Sequence, residues 1–461
     1  SFSPVTLTTE NFIGTSAHAA ADGAKVLVNT QGTVDENIPQ QPVDASVNTP
    51  VDFESGRVLD TSIVYDSNVD RFLIVSRDRD NSDYGTGVVA SLSGTTLSFG
   101  TPVVFESATT RLTTAVFDTS TNKIVIAYRD DGNSQRGTAV VATIDSSDNS
   151  VSYGSPVIYH TSESSGSFRS AAFVPATAVN SDDSANSIVV AFKDGGDSGR
   201  GKAVVGVVSG AGNTSTTWGT VATFNTNSTD QHLTVVNDTN AKRLLIAYRD
   251  KGNSDYGTAV VASVNSTDSS ISFGSATVFH SSQTDELCGV FDPDTNKIIL
   301  CFQDGGDSNK SKSIVATISG TSVSFGSVVE VNTGSSYNNS VVYDTTANKA
   351  VVSMRDDTNS RGISFTGTVS GTDISYDSGL VFQGSTGGAL DATVSAFDPD
   401  NNKIVIAYNL GNGKAVVHSP EANGDLTAGQ TYFVQSDGSF KTSADSPSVT
   451  AGTALSATKL L

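Results

Sequence analysis

The sequence holds little cysteine, little positive charge and no long apolar run, and each shortage removes a class of protein. Two cysteines, Cys288 and Cys301, stand in 461 residues. They are too few for a disulfide framework and are not spaced as a zinc site. Lys and Arg number 27 against 48 Asp and Glu, for a net charge of −21. A surface of that sign repels phosphate backbones and anionic membranes, so nucleic acid and lipid are unexpected partners. It suits solubility, including in a salty medium that screens self-repulsion. No apolar run reaches the ~18 residues of a membrane-spanning helix. The opening SFSPVTLTTE has neither a basic n-region nor an apolar h-region, so no signal peptide is expected there. No G-x-S-x-G is present and the five histidines are scattered, which argues against a Ser-His-Asp hydrolase.

What is present is a repeat. YRDDGNSQRGTAVVATI (128–144) has relatives at 76–92, 192–208, 248–264, 302–318 and 354–369, and a worn seventh copy, YNLGNGKAVVHS, at 408–419. Six copies keep an aspartate: Asp78, Asp130, Asp194, Asp250, Asp304 and Asp356. Their separations are 52, 64, 56, 54 and 52 residues, the 64 containing a local insertion, ATAVNSDDSAN, in a hairpin loop. Each unit reads as four short strands separated by turn residues. In the second unit these are TTAVFD, KIVIAYRD, GTAVVATI and SVSYGSPVIYH, and no helical period competes. A four-stranded unit of about 50 residues is the signature of a propeller blade.

The fourth strand carries an aromatic marker: Phe99, Tyr153, Trp218, Phe273, Phe325 and Tyr376. The seventh unit, from about 391 to 419, lacks that strand. SVNTPVDFES (46–55) aligns with SFGTPVVFES (98–107) and is expected to supply it. The predicted fold is therefore all-β: a seven-bladed β-propeller over 44–419, closed three-plus-one by an N-terminal strand, which removes the open edge. Residues 1–43 and 420–461 read as two halves of one small β-rich module into which the propeller is inserted. A hairpin signal stands at Asp437-Gly438.

The repeat Tyr/Phe–Arg/Lys–Asp–x–Gly–Asn/Asp–Ser–x–x–Gly–Thr–Ala–Val–Val resembles propeller repeats in virion structural proteins of marine phages. The flanks ENFIG (10–14), TVDEN (33–37), LTAGQTYFVQSDG (426–438) and SVTAGTALSATKLL (448–461) resemble a small module of phage tail-fibre-like proteins. In that family the two halves follow one another directly, whereas here the propeller separates them. The resemblance implies a non-enzymatic structural or adhesion protein, exposed on a virion or otherwise extracellular. It would assemble as a homo-oligomer, or with other virion or filament proteins, through the terminal module, with a host-surface glycan as a possible further partner. The alternatives are a glycan-binding lectin and a subunit of an extracellular bacterial filament.

Candidate chemistry centres on the turns. The six repeated aspartates, with Asp80, Asn133, Asp197, Asn253, Asp307 and Asn359, offer oxygens for Ca²⁺. The competing reading is that Asp and Asn hold their own turns; no resident cofactor is expected. The basic residues before them, Arg77, Arg129, Lys193, Arg249 and Arg355 (Gln303 in the fifth copy), either line a face for an acidic glycan or pair with nearby carboxylates. Charged positions recur nearly alike in every unit, with no break in symmetry of the kind that an active site imposes. His160 and His280 occupy matching loops and read as surface residues. If Asp292 pairs with Lys297, Cys288 and Cys301 face each other across a hairpin, as two buried thiols or a cross-strand bond.

Overall fold

A computed structural model describes residues 45–161, 170–176, 186–384 and 390–419 continuously, and the short strands 41–43, 422–424, 431–434, 440–441, 449–456 and 459–460. Chain contacts divide it into two units, residues 47–418 and a unit drawn from both ends. The ENFIG and TVDEN segments and most of the ATAVNSDDSAN insertion lie outside the described residues.

The large unit is all-β, built of antiparallel strands that follow the repeat. Second strands run Arg71–Asp78, Lys123–Asp130, Ser187–Asp194, Arg243–Asp250, Lys297–Asp304, Lys349–Asp356 and Lys403–Asn409. Each pairs with a first strand before it and a third strand after it, as Lys123–Asp130 does with Val103–Asp118 and Arg136–Asp145. We call each such set a group. Successive first strands are neighbours, from group 1 through group 7, and the seventh, Asp391–Asp398, lies beside the first, Val58–Asp66.

Burial explains the sequence pattern. In Lys123–Asp130, Ile124, Ile126 and Tyr128 enter a cluster shared with group 1, while Val125 and Ala127 enter one shared with group 3. Alternate residues face opposite sides, so a strand covered on both faces reads as a continuous apolar run. Every apolar cluster spans two successive groups in this way, including groups 7 and 1. A single group has no core of its own.

The fourth strand differs from its expectation as one continuous segment. In group 2 it breaks into Ser150–Tyr153 and Val157–His160, which pair with opposite ends of the third strand. The Gly154-Ser-Pro step between them offers no amide at Pro156. In groups 1, 3, 4 and 5 the second half runs on as the first strand of the next group, giving strands such as Thr277–Asp292. In group 7 that half comes from Val51–Glu54, with Val51 opposite Ala415 as Val103 is opposite Gly87. Asp52 meets Lys414 at 2.6 Å and the Asn48 side chain accepts from Val417 N at 2.7 Å.

Third strands open on glycine for a packing reason. A Cβ on Gly85, Gly137, Gly201, Gly257, Gly362 or Gly413 would lie 2.3–2.7 Å from the ring of Phe105, Tyr159, Phe224, Phe279, Phe382 or Phe53. Group 5 has Ser311 in place of the glycine and Val331 in place of the aromatic, so the two positions change together.

In the smaller unit Thr431–Val434 pairs with Phe440–Lys441 across the Asp437-Gly438 segment and with Val449–Ser456, which pairs in turn with Lys459–Leu460. Gln41–Val43 pairs with Ala422–Gly424, joining the two ends of the chain in one ladder.

Candidate functional site

The six repeated aspartates end their second strands and cap the turns that follow. Asp78 Oδ1 accepts from the amides of Asp80 and Asn81, both at 3.1 Å. Asp130 accepts from Asn133 N (3.0 Å), Asp194 from Gly196 N (3.0 Å) and Asp250 from Gly252 N (3.0 Å). Asp304 takes Gly306 N at 2.9 Å and Asp356 takes Asn359 N at 3.2 Å. The serine of each motif then adopts a left-handed backbone, with φ between 51° and 58° from Ser82 to Ser360. These oxygens satisfy the amides of a tight turn, as an N-cap does. A second aspartate series, which sequence reasoning did not single out, does the same at the first hairpin. Asp118, Asp238, Asp292, Asp344 and Asp398 each accept from two turn amides. The recurring F/Y-D-x-x-x-N-K string was its signal at four of the five, Asp238 lying instead in NDTNAKR.

The turn aspartates also join successive groups. His160, from the fourth strand of group 2, places Nε2 3.0 Å from Asp194 of group 3, and His280 sits 3.1 Å from Asp304. Asn225 donates to Asp250 at 3.2 Å. Glu54 and Glu106 hold the same position beside Asp78 and Asp130; burial raises the Asp78, Asp130 and Glu106 carboxyls, and Glu54 adds to the rise of Asp78, Asp131 to that of Asp130 and Asp130 to that of Glu106. His160 is thus 9% exposed, against the expectation of a surface residue. Its partner comes from the next group, which a reading of one repeat at a time does not reveal.

Most of the basic residues before the aspartates are taken up in ion pairs. Arg77 lies 3.1 Å from Asp60, Arg129 and Arg111 both bind Asp131, Arg249 reaches Asp230, Asp255 and Asp285, and Arg355 binds Asp357. Although burial opposes it, the two guanidiniums hold the Asp131 carboxyl below its ordinary range. Gln303 donates to Ser336 O. Cys288 and Cys301 are free thiols directly opposite one another in the register that Asp292 and Lys297 set.

The expectation of unbroken symmetry fails at the first strands. In groups 1, 2, 5, 6 and 7 the first strand has a β-bulge about six residues before its closing aspartate, and the bulged residue has φ near +50°. These residues line one cavity of about 440 Å³. In chain order they are Asp60, Leu112, Glu286, Asn338 and Ala392, and His232 of group 4 lines the same cavity. The backbone repeats and the chemistry does not. His232 Nδ1 accepts the Glu286 amide at 3.0 Å, and its Nε2 lies 3.5 Å from Asp285 Oδ1. Glu286 Oε2 accepts from Asn338 N at 3.2 Å, and Asn338 reaches Leu390 O at 3.4 Å, so hydrogen bonds run from group to group around the cavity. Burial raises the carboxyl of Glu286, and likewise that of Asp60 despite Arg77.

Among the described residues, one acidic trio is close enough to share a metal: Asp70, Asp398 and Asp400, where groups 7 and 1 meet. The Tyr65 hydroxyl bridges Asp70 at 2.8 Å and Asp400 at 2.7 Å, and Asp398 is occupied by turn amides.

No protein-family model and no curated protein matches the sequence. Among solved structures, the chain is similar to a protein of unknown function from Dyadobacter fermentans DSM 18053, at 10% identity and a TM-score of 0.48, covering 83% of this chain and 100% of that one. It is also similar to AofleA from Arthrobotrys oligospora, at 9% identity and a TM-score of 0.44, covering 74% of this chain and 93% of the other. Likeness at this level carries no functional argument.

Proposed function

We propose that residues 47–418 form a seven-bladed β-propeller that serves as a rigid binding and assembly body rather than an enzyme. It would be carried on a virion surface, tail fibre or comparable extracellular assembly. The observation that carries this reading is the cyclic order of first strands, with Val51–Glu54 completing the last group. A ring closed in this way leaves only short, protected sheet edges and gives a stiff platform. The repeated polar motif is spent on backbone amides and on joints between groups, which supports a structural rather than catalytic role for it. The smaller unit, with its own sheet, is the natural docking element, and its likeness to tail-fibre modules is the ground for the virion setting.

Light scattering of the full chain after size exclusion, with electron-microscopic class averages, tests both parts. Discs of seven lobes in a defined oligomer or filament support the reading. Averages with another lobe number overturn the ring. A monomer across the accessible concentration range overturns the assembly role. A glycan-binding protein is the second reading, favoured by the chemically uneven central cavity.

A further inference from the structure

The bulged position of the first strand makes the same backbone turn in group after group, yet its side chains share nothing. At the turn aspartate the fold dictates the side chain, because backbone amides need an acceptor. At the bulge the fold tolerates Leu112, Ala392 and Asn338 at φ values of 57°, 53° and 55°. Acidic residues there are therefore not required by the path of the chain. Even so, Asp60 and Glu286 occupy it, facing one shared space.

That space has the size and lining of a small-molecule site. Its volume of about 440 Å³ falls within the roughly 300–1,000 Å³ of ligand pockets. Leu59, Leu112, Leu233 and Leu287 supply apolar wall. Polar groups converge between them. Thr61 and Thr393, only 8% and 3% exposed, have hydroxyls without a hydrogen-bond partner among the described residues. Their counterpart Thr113 shows the alternative, since its hydroxyl donates to Asp60 O. A buried hydroxyl left unpaired costs about 1–3 kcal/mol, which a ligand hydroxyl offsets.

Charge narrows the ligand class. The lining carries Asp60, Glu286 and Asp391 against the single cation Arg77, and Arg77 is already engaged by Asp60 at 3.1 Å. His232 is engaged at both ring nitrogens, by the Glu286 amide at Nδ1 and by Asp285 3.5 Å from Nε2. Among the described residues the Glu286 carboxylate accepts one hydrogen bond, from the Asn338 backbone amide, and is in no salt bridge with Lys or Arg. An anion has nothing to meet here. A protonated amine would meet Glu286, and its hydroxyls would meet the threonines.

We propose that the central cavity is a binding site for a compact polyhydroxylated ligand bearing a protonated amine, an amino sugar, with Glu286 receiving the ammonium and Thr61 and Thr393 receiving hydroxyls. This deepens the glycan-binding reading and does not depend on the assembly role, which the native mass tests separately.

Three probes of one shape and different charge decide it: glucosamine, glucose and glucuronic acid, titrated calorimetrically into the full chain at neutral pH. Glucosamine is expected to bind about tenfold or more tighter than glucose, as one charge-assisted hydrogen bond allows, and glucuronic acid not at all. Glu286→Gln, which keeps shape and removes charge, is expected to erase the preference for glucosamine over glucose. Ala392→Leu places in group 7 the residue that Leu112 already accommodates at nearly the same φ, so the fold is retained while the cavity shrinks. It is expected to weaken both sugars. Absence of glucosamine binding, equal affinity for glucosamine and glucose, or a preference that survives Glu286→Gln would each overturn the proposal. Undiminished binding in Ala392→Leu would also overturn it, by placing the sugar elsewhere.

Discussion

Group 7 and the other six groups reach one backbone by different means. Its register is the common one: Asp398 pairs with Lys403 as Asp118 does with Lys123, and Ala407 with Ala415 as Ala127 does with Ala139. Yet its turn has Leu410 instead of aspartate and is shortened, with Gly411 at φ 83°. It has no aromatic marker. Where groups 1 to 6 place Ala or Gly beneath that aromatic, as Ala142 opposite Tyr153 and Gly367 opposite Tyr376, group 7 has His418. His418 is 1% exposed and meets Ser364 of group 6 at 3.1 Å. The difference teaches that the fold demands filled volume and satisfied amides. A particular motif is one way of meeting that demand.

The most demanding test of the comparison concerns Phe53. If the strand drawn from the start of the large unit serves group 7 as a true fourth strand, Phe53→Ala costs what Phe105→Ala costs in group 1. Both rings are nearly buried, at 6% and 7%, and each loss should be about 3–5 kcal/mol in denaturant unfolding. A loss below about 1 kcal/mol for Phe53→Ala alone would show the strand to be an accessory.

Somewhat smaller is the acid response of His418. Burial lowers its pKa from 6.5 to about 4, so the ring is neutral in the fold and the unfolded chain takes up the proton first. Stability is therefore fully present above pH 6.5 and falls between about 6.5 and about 4, by up to about 3 kcal/mol. The raised carboxyls of Asp130 and Glu106 act in the opposite sense, favouring the fold as pH falls. The difference between the parent and His418→Asn isolates the histidine: the variant should lack this part of the slope. Parallel curves would mean that His418 takes up its proton at the same pH in the folded and the unfolded chain.

Group 5 supplies the mildest test. Val331→Phe brings the aromatic of the other groups against Ser311 and should cost about 1–3 kcal/mol by overpacking. Adding Ser311→Gly should restore most of it. Simple additivity of the two changes would show that the glycine and the aromatic are not a coupled pair.

Much of the strand order was legible, because turn residues and apolar runs recur at a spacing of a little over 50 residues. Asp78 through Asp356 announced themselves by repetition, and the alignment of VDFES with VVFES located the strand that pairs with group 7. Cys288 and Cys301 could be placed opposite each other by counting from the PDTN turn. The cavity stayed hidden for the opposite reason. Asp60, Leu112, Glu286 and Asn338 look unrelated in sequence, and only the shared bulge makes them equivalent. The pairing of His160 and His280 was also out of reach, since each depends on an aspartate of the following group. The break at Gly154-Ser-Pro was present in the letters but outweighed by the strand-like residues on either side of it.

The pairing of Asp52 with Lys414 spans 362 residues of chain. On a ribosome adding roughly 5–20 residues per second, Val51–Glu54 emerges about 20–70 s before its partner exists. Throughout that interval group 1 lacks the neighbour that completes its core, and Phe53 has no glycine to cover. Six groups can stack as they appear, each on the one before. The last step is of another kind, a search between distant parts of an already folded body. Newly made chains should therefore pass through an open, curved intermediate with sticky ends, and crowded nascent chains risk pairing the early strand of one copy with the late group of another.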